Sequence, residues 1–155
     1  MSKKFNIAIA GATGNVGREI IHILEEKDFP VNELFLLASS RSKGQIIQFR
    51  GEELVVEDLV EFDFSKAQIS FFSPGSKVSS EFAPKAAKAG CIVIDNSSYF
   101  RMNKEVPLIV PEVNASVLEE FFNTNDRGNI IANPNCSTIQ MVVALKPLHD
   151  KAIIN

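Results

Sequence analysis

Phe5-Asn-Ile-Ala-Ile-Ala-Gly-Ala-Thr-Gly-Asn-Val-Gly-Arg18 is the stretch from which the fold is read. Its first six residues are mostly apolar and predict a strand. Gly11, Gly14 and Gly17 follow at intervals of three, and Val16, Ile20, Ile23 and Leu24 then recur at helical spacing. Strand, glycine turn and helix in that order open a dinucleotide-binding unit. Gly11 permits the tight turn, Gly14 lets the backbone approach a pyrophosphate, and Gly17 lets the helix lie close to the strand. N–H groups at the helix start would hold the phosphates. The spacing is G-x-x-G-x-x-G rather than G-x-G-x-x-G, so the meaning comes from the flanking strand and helix.

The next apolar run, residues 34–38, ends in Ser39-Ser-Arg-Ser-Lys-Gly44. An NAD site places Asp or Glu there for the adenosine ribose. This turn offers hydroxyls and two cations and no acid, which suits a 2′-phosphate, since Arg grips phosphate through two parallel hydrogen bonds. A bare Ser/Arg/Lys run is ordinarily a solvated turn. Its position directly after the second strand instead points to NADP, with Ser39, Arg41 and Ser42 as contacts.

Further along, residues 53–59 predict a third, weaker strand, and residues 68–73 a strand ending in Ser73-Pro-Gly-Ser76. Val78, Phe82, Ala86 and Ala89 are helically spaced up to Gly90, a good C-terminal stop. Pro84 implies that this helix either starts near Ser80 or is kinked. Residues 91–95 form a strand with Cys91 in the core, and residues 107–110 are extended. Asn114 or Ser116 caps a helix to Phe122. Residues 130–132 form a strand, 138–148 a helix, and 151–155 read as a strand just beginning. Alternating strands and helices predict an α/β, Rossmann-like, doubly wound and mostly parallel sheet. Ligands gather at the carboxyl ends of such strands. The polar turns at 11–17, 39–42, 73–76, 96–98 and 135–136 all lie there.

The most chemically pointed stretch is Asn133-Pro-Asn-Cys-Ser-Thr-Ile-Gln-Met141. It follows a short strand, turns on Pro134 and puts Cys136 at a helix start. There, unpaired N–H groups and the positive end of the helix dipole favour thiolate over thiol, and thiolate is the nucleophile. A lone cysteine is more often a buried structural residue. The polar neighbours Asn133, Asn135, Ser137 and Thr138 turn the reading toward a nucleophile.

Length bounds the chain to one domain with a real core, at 155 residues. A hydrophobic share of 45% with 23% charged residues is that of a soluble globular protein. A net charge of −3 gives no support for nucleic-acid or membrane-surface binding. No apolar run approaches a membrane span of about 20 residues. The first strand starts too early for a secretory leader. Cys91 and Cys136 make no disulfide framework, so a reducing cytoplasm is expected. His22 and His149 lack neighbours at metal-ligand spacing, and no metal is expected.

Together these motifs resemble the aspartate-semialdehyde dehydrogenases of the aspartate pathway to lysine, threonine and methionine. The resemblance covers essentially the whole chain. It runs from Gly11-Ala-Thr-Gly-Asn-Val-Gly-Arg18 through Asp95-Asn-Ser-Ser-Tyr-Phe-Arg101 and Val106-Pro-Leu-Ile-Val-Pro-Glu-Val-Asn114 to Asn133-Pro-Asn-Cys-Ser-Thr138. The last two segments are the specific ones. The resemblance implies that Thr13, Gly14, Asn15 and Val16, with Arg41 and Ser42, contact NADP, and that Ser73 and Gly75 add cofactor contacts. Arg101, with Asn96, would bind phosphate or the acyl phosphate. Taken alone, Arg101 is an Arg near a strand end and reads as a surface ion pair. Cys136 would form a thioester from L-4-aspartyl phosphate, and hydride from NADPH would release L-aspartate 4-semialdehyde. Asn135 and the backbone N–H groups at 135–137 are the candidate oxyanion donors.

Family members are longer, with a second domain that carries the acid–base histidine, substrate residues and most of the homodimer contact. On that comparison residues 1–155 are the NADP-binding domain with its nucleophile turn, the second domain is absent, and these residues alone are expected to be catalytically incomplete. Neither His22 nor His149 matches the family's histidine. A rival, N-acetyl-γ-glutamyl-phosphate reductase, shares fold and thioester logic but flanks its cysteine with Gly and Tyr, where this chain has Asn135 and Ser137. The other alternative is a non-catalytic nucleotide-binding module, against which Cys136 argues.

Overall fold

Strand β1 (Phe5–Ala10) forms the middle of the protein because Ile7, Ala8, Ile9 and Ala10 lose all exposure, on both faces of the sheet. Such a continuous apolar run belongs to a parallel strand covered on both sides. The computed structural model describes residues 3–123 and 129–152. Helix α1 (Asn15–Glu26) follows β1, and β2 (Val31–Ala38) returns parallel to it, with Ala10 opposite Leu37. The chain then makes a short 3₁₀ turn at Ser40–Ser42 and an antiparallel hairpin of β3 (Ile46–Phe49) and β4 (Glu52–Val55). The two-residue β5 (Glu57–Asp58) rejoins the main sheet beside Leu37 and Ala38.

The third strand expected over 53–59 is therefore divided. Its first part pairs with β3 in a separate sheet, and only Glu57 and Asp58 reach the main one. The apolar content of the segment could not reveal this, because pairing in the hairpin is set by the turn at Arg50 and Gly51, both at positive φ.

Beyond β1 on the other side lie β6 (Ile69–Phe72), β7 (Ile92–Asp95) and β8 (Ile130–Ala132), all parallel. The strand order is β5-β2-β1-β6-β7-β8. Chain order thus reverses between β1 and β6, the switch point at which doubly wound sheets open a crevice for ligands.

Helix α2 (Ser76–Lys88) connects β6 to β7 and is continuous through Pro84, beginning at Ser76 rather than near Ser80. Pro84 is exposed, and its missing N–H costs the helix only the bond to the carbonyl of Ser80. Buried Phe82, Ala83 and Ala86 pack α2 on one face of the sheet with Phe72, Val93 and Cys91, while Ile21 and Leu24 of α1 pack on the other with Ile7, Ile9 and Leu36. Each fully buried Ile, Leu or Phe side chain contributes about 1.5–3 kcal/mol.

After β7 the chain forms α3 (Pro111–Asn114) and α4 (Ser116–Asn123). The extended stretch at 107–110 lies along the outer edge of β8, where Ile109 N donates to Ala132 O at 3.0 Å and Ala132 N to Pro107 O at 2.9 Å. Asn114 acts there and not as a cap of α4. Its Oδ1 accepts from Val110 N and its Nδ2 donates to Leu108 O. Helix α5 (Cys136–His149) ends in a turn at Lys151 and Ala152, and the rest of the strand expected over 151–155 lies outside the described residues.

Candidate active site

The turn after β1 is shaped by two glycines. Gly11 has φ +87°, and a Cβ there would stand 2.9 Å from the backbone of Ser73. Only glycine lets the β1 and β6 turns approach so closely at the switch point. At Gly17 a Cβ would lie 2.2 Å from the carbonyl oxygen of Gly11, so this residue sets the contact of helix and turn. Gly14 precedes α1, and no side chain caps the helix. The first-turn N–H groups at Asn15 and Val16 are left to an outside acceptor, and no acid stands in that turn. Beside them lies a cleft of about 380 Å³ lined by Gly11, Thr13, Gly14, Ser39, Ser73 and Val60 among others. Uncapped N–H groups next to a partly apolar cleft are the donor set a dinucleotide requires, so the residues present fit that cofactor. Gly75, at φ +90°, is the residue before α2. The Ser73 hydroxyl donates to Ala10 O at 3.3 Å, tying the two turns together.

Ser39 lines the cleft, and Arg41 is exposed in the 3₁₀ turn with no hydrogen bond or ion pair among the described residues. Lys43 is committed to Glu61, with Nζ 2.5 Å from Oε2. The acid missing from the turn's own sequence thus arrives from the loop after β5.

The second half of the site lies at the carboxyl ends of β7 and β8. Asn135 caps α5: its Oδ1 accepts from Ser137 N at 3.0 Å and from the Ser137 hydroxyl at 2.6 Å. Pointing that oxygen into the helix leaves the Asn135 Nδ2 group without a partner among the described residues. Cys136 is the first helical residue and is exposed, its Sγ 3.8 Å from Asn135 Oδ1. Of the N–H groups at 135–137, that of Ser137 is consumed by the cap, so it is no oxyanion donor in this arrangement.

Arg101 is half-buried and makes no ion pair among the described residues. Its Nε donates to Asn133 O at 2.9 Å and its Nη2 to Asn96 O at 3.0 Å. These carbonyls stand just past β8 and β7, so the guanidinium is clamped across two strand ends, with Nη1 uncommitted among the described residues. Asn133 Nδ2 donates to Asn96 Oδ1 at 2.7 Å, and the Asn96 Nδ2 group has no partner among the described residues. The loop carrying Arg101 is itself anchored by Asp95, fully buried, whose Oδ2 accepts from the Ser97 hydroxyl at 2.6 Å. Ser97 Oγ in turn accepts from Tyr99 N at 3.2 Å.

Every residue predicted from sequence for cofactor, anion or nucleophile duty therefore lies at one edge of the sheet. Gly11, Thr13, Gly14, Ser39 and Ser73 line the switch-point cleft, Asn15, Val16, Arg41, Ser42 and Gly75 adjoin these in sequence without lining it, and Asn96, Arg101, Asn135 and Cys136 follow the carboxyl ends of β7 and β8. Asp95, and Asn133 as a tie between two strand ends, support the loop of Arg101 as well. In sequence each is only a polar residue directly closing an apolar strand, which also describes an ordinary turn. Cys91 is buried, and burial pushes its thiol up from the usual range. No helix among the described residues is long and apolar enough to cross a membrane.

Residues 6–121 match the family model described as semialdehyde dehydrogenase, NAD binding domain. An aspartate-semialdehyde dehydrogenase of Shewanella is 54% identical over 150 residues, covering 97% of this chain and 43% of that protein. Aspartate semialdehyde dehydrogenase II from Vibrio cholerae, solved in complex with ASA, superposes with a TM-score of 0.90 at 53% identity, over 96% of this chain and 47% of that one. Aspartate semialdehyde dehydrogenase from Candida albicans, solved with NADP, superposes with a TM-score of 0.77 at 27% identity, over 98% of this chain and 48% of the other. The chain thus spans less than half the length of these relatives.

Proposed function

The chain belongs to the NAD-binding domain family of semialdehyde dehydrogenases, and from that premise we propose that its protein is an NADP-dependent aspartate-semialdehyde dehydrogenase. It would convert L-4-aspartyl phosphate to L-aspartate 4-semialdehyde on the route to lysine, threonine and methionine, as a cytoplasmic homodimer. Residues 1–155 supply the dinucleotide site and the nucleophile. The observation that carries this reading is the exposed Cys136 at the capped start of α5, beside Arg101 clamped across the ends of β7 and β8.

The Cys136 thiolate attacks the acyl carbon, forming a C–S bond and an oxyanion. The Cys136 N–H and the Asn135 Nδ2 group would stabilise that oxygen, both having no partner among the described residues while the cap takes the Ser137 N–H. Arg101 Nη1 and the Asn96 amide hold the phosphoryl oxygens, so phosphate leaves with the electron pair and a thioester remains on Cys136. NADPH, when bound, supplies the hydride that reduces the thioester carbon. The C–S bond then breaks, the aldehyde is released, and Cys136 recovers its thiolate.

Strand β1 and strand β8 are three strand spacings apart, about 14 Å at roughly 4.8 Å each. The start of α1 would hold the pyrophosphate of the dinucleotide, on the same carboxyl edge of the sheet as Cys136. The test is the reverse reaction: aldehyde, inorganic phosphate and NADP⁺ should yield NADPH, followed by its absorbance. A protein that shows no phosphate-dependent reduction with either nicotinamide dinucleotide would defeat the proposal.

A further inference from the structure

The switch-point cleft has two walls at its outer end. One is the turn after β2 that carries Ser39, and the other is the loop after β5 that carries Leu59 and Val60. Lys43, four residues past Ser39, and Glu61, the residue after Val60, lie outside the cleft lining and reach across to one another, Nζ to Oε2 at 2.5 Å, with both side chains more than half exposed. The loop is held in place independently of this pair. Leu59 N donates to Ala38 O at 2.9 Å, and Asp58 Oδ1 accepts from Val60 N at 3.0 Å. Asp58 is buried directly beside Ala38, so three carboxylates, Glu57, Asp58 and Glu61, belong to the strand and loop that flank the turn. Hydrogen bonding and charge from Glu61, joined more weakly by Asp58 and Glu57, hold the Lys43 ammonium above its ordinary range. The turn therefore carries two cations in sequence but only one, Arg41, that is uncommitted among the described residues.

We propose that Glu61 is a specificity-determining residue that limits the preference for NADP over NAD by holding Lys43 away from the 2′-phosphate. This rests on the reading of the cleft as the dinucleotide site, with Ser39, Arg41 and Ser42 at its adenosine end. A 2′-phosphate placed beside Arg41 competes with the Glu61 carboxylate for Lys43. While Glu61 holds that ammonium, the phosphate receives one cation in place of two. The nicotinamide dinucleotide without the 2′-phosphate does not experience this loss, so Glu61 acts on the ratio of affinities rather than on both.

Calorimetric titration of the full-length protein with NADP⁺ and with NAD⁺ tests this. Glu61→Gln should raise the ratio of NADP to NAD affinity about three- to five-fold, the scale of one exposed charge pair. In a Lys43→Met background the same substitution should leave the ratio within a factor of two, because the released cation is gone. Raising the salt concentration should shrink the gain. Arg41→Ala, which should weaken NADP selectively, reports on the site itself. If Arg41→Ala behaves so while Glu61→Gln leaves the ratio unchanged, or raises it equally without Lys43, the proposal is overturned and the cofactor site stands. If the wild-type protein binds neither dinucleotide, or Arg41→Ala weakens neither, the reading of the cleft fails and the proposal fails with it.

Discussion

Helices α1 and α5 both begin at the carboxyl edge of the same sheet, and their first turns are built in opposite ways. The start of α1 is bare backbone: glycine before it, no side-chain cap, and N–H groups open to an outside acceptor. The start of α5 is closed by Asn135, whose Oδ1 takes the Ser137 N–H, and it presents a thiol instead of an empty cradle. The bodies of the helices differ as well. Helix α1 buries Gly17, Ile21 and Leu24 against the sheet, whereas α5 has no fully buried residue. The unpaired donors of a first turn thus stay open in one helix and are partly used by a side chain in the other, decided by the residue before the helix. On the proposed function, the open start would hold an anion and the capped start would present the nucleophile.

The sharpest way to separate the two ends is to remove the thiol. Cys136→Ser should lower turnover by about 10³-fold or more, the scale seen when a covalent nucleophile is replaced. NADP affinity, measured by calorimetry, should stay within a factor of two, since the cradle is three strands away. Residual turnover within ten-fold of the wild type would mean that the nucleophile lies elsewhere.

At the other end, Gly17→Ala should damage the cradle from beneath. A Cβ 2.2 Å from the Gly11 carbonyl can be accommodated only by moving backbone, so a loss of about 3 kcal/mol in urea unfolding is expected, at the upper end of overpacking costs. Gly14→Ala is the control, since its Cβ would meet nothing closer than 3.4 Å. That variant should stay near wild-type stability. Equal losses in the two variants would break the view that Gly17 alone sets the contact between helix and turn.

The smallest effect separates the two cysteines. Cys91 is fully buried, and its Sγ donates to the carbonyls of Phe64 and Ala67. Iodoacetamide at neutral pH should label Cys136 first and Cys91 only as the protein opens. Because burial raises the Cys91 thiol, the folded state keeps a proton that the unfolded chain releases above its ordinary value of about 8.5. The unfolded state then binds fewer protons, so stability present below that value falls as pH rises through the folded value, by at most about 1.4 kcal/mol per pH unit. Urea midpoints measured from pH 8 upward should show a decline that Cys91→Ala removes. An identical decline in the variant would assign it to other groups.

Much of this protein was legible from its sequence because the relevant forces act over short spans. An apolar run followed by glycines at 11, 14 and 17 has few ways to fold other than strand, turn and helix. A cysteine after Asn133-Pro-Asn has few places to be other than a capped helix start. The polar closings of the strands mark the carboxyl edge of the sheet, because parallel winding puts every one of them there. What depended on distant residues was not legible. The division of residues 53–59 between two sheets needs both the Arg50-Gly51 turn, which pairs β4 with β3, and the distant β2, beside which only Glu57 and Asp58 are laid. Arg101 read alone suggested an ion pair, and only the juxtaposition of the β7 and β8 ends supplied two carbonyls to clamp it. The turn at 39–44 contains no acid, yet Glu61 stands against Lys43 because β5 lies beside β2. Periodicity and turn chemistry are written locally along the chain. Charge environments and backbone clamps exist only once strands remote in sequence have been laid side by side.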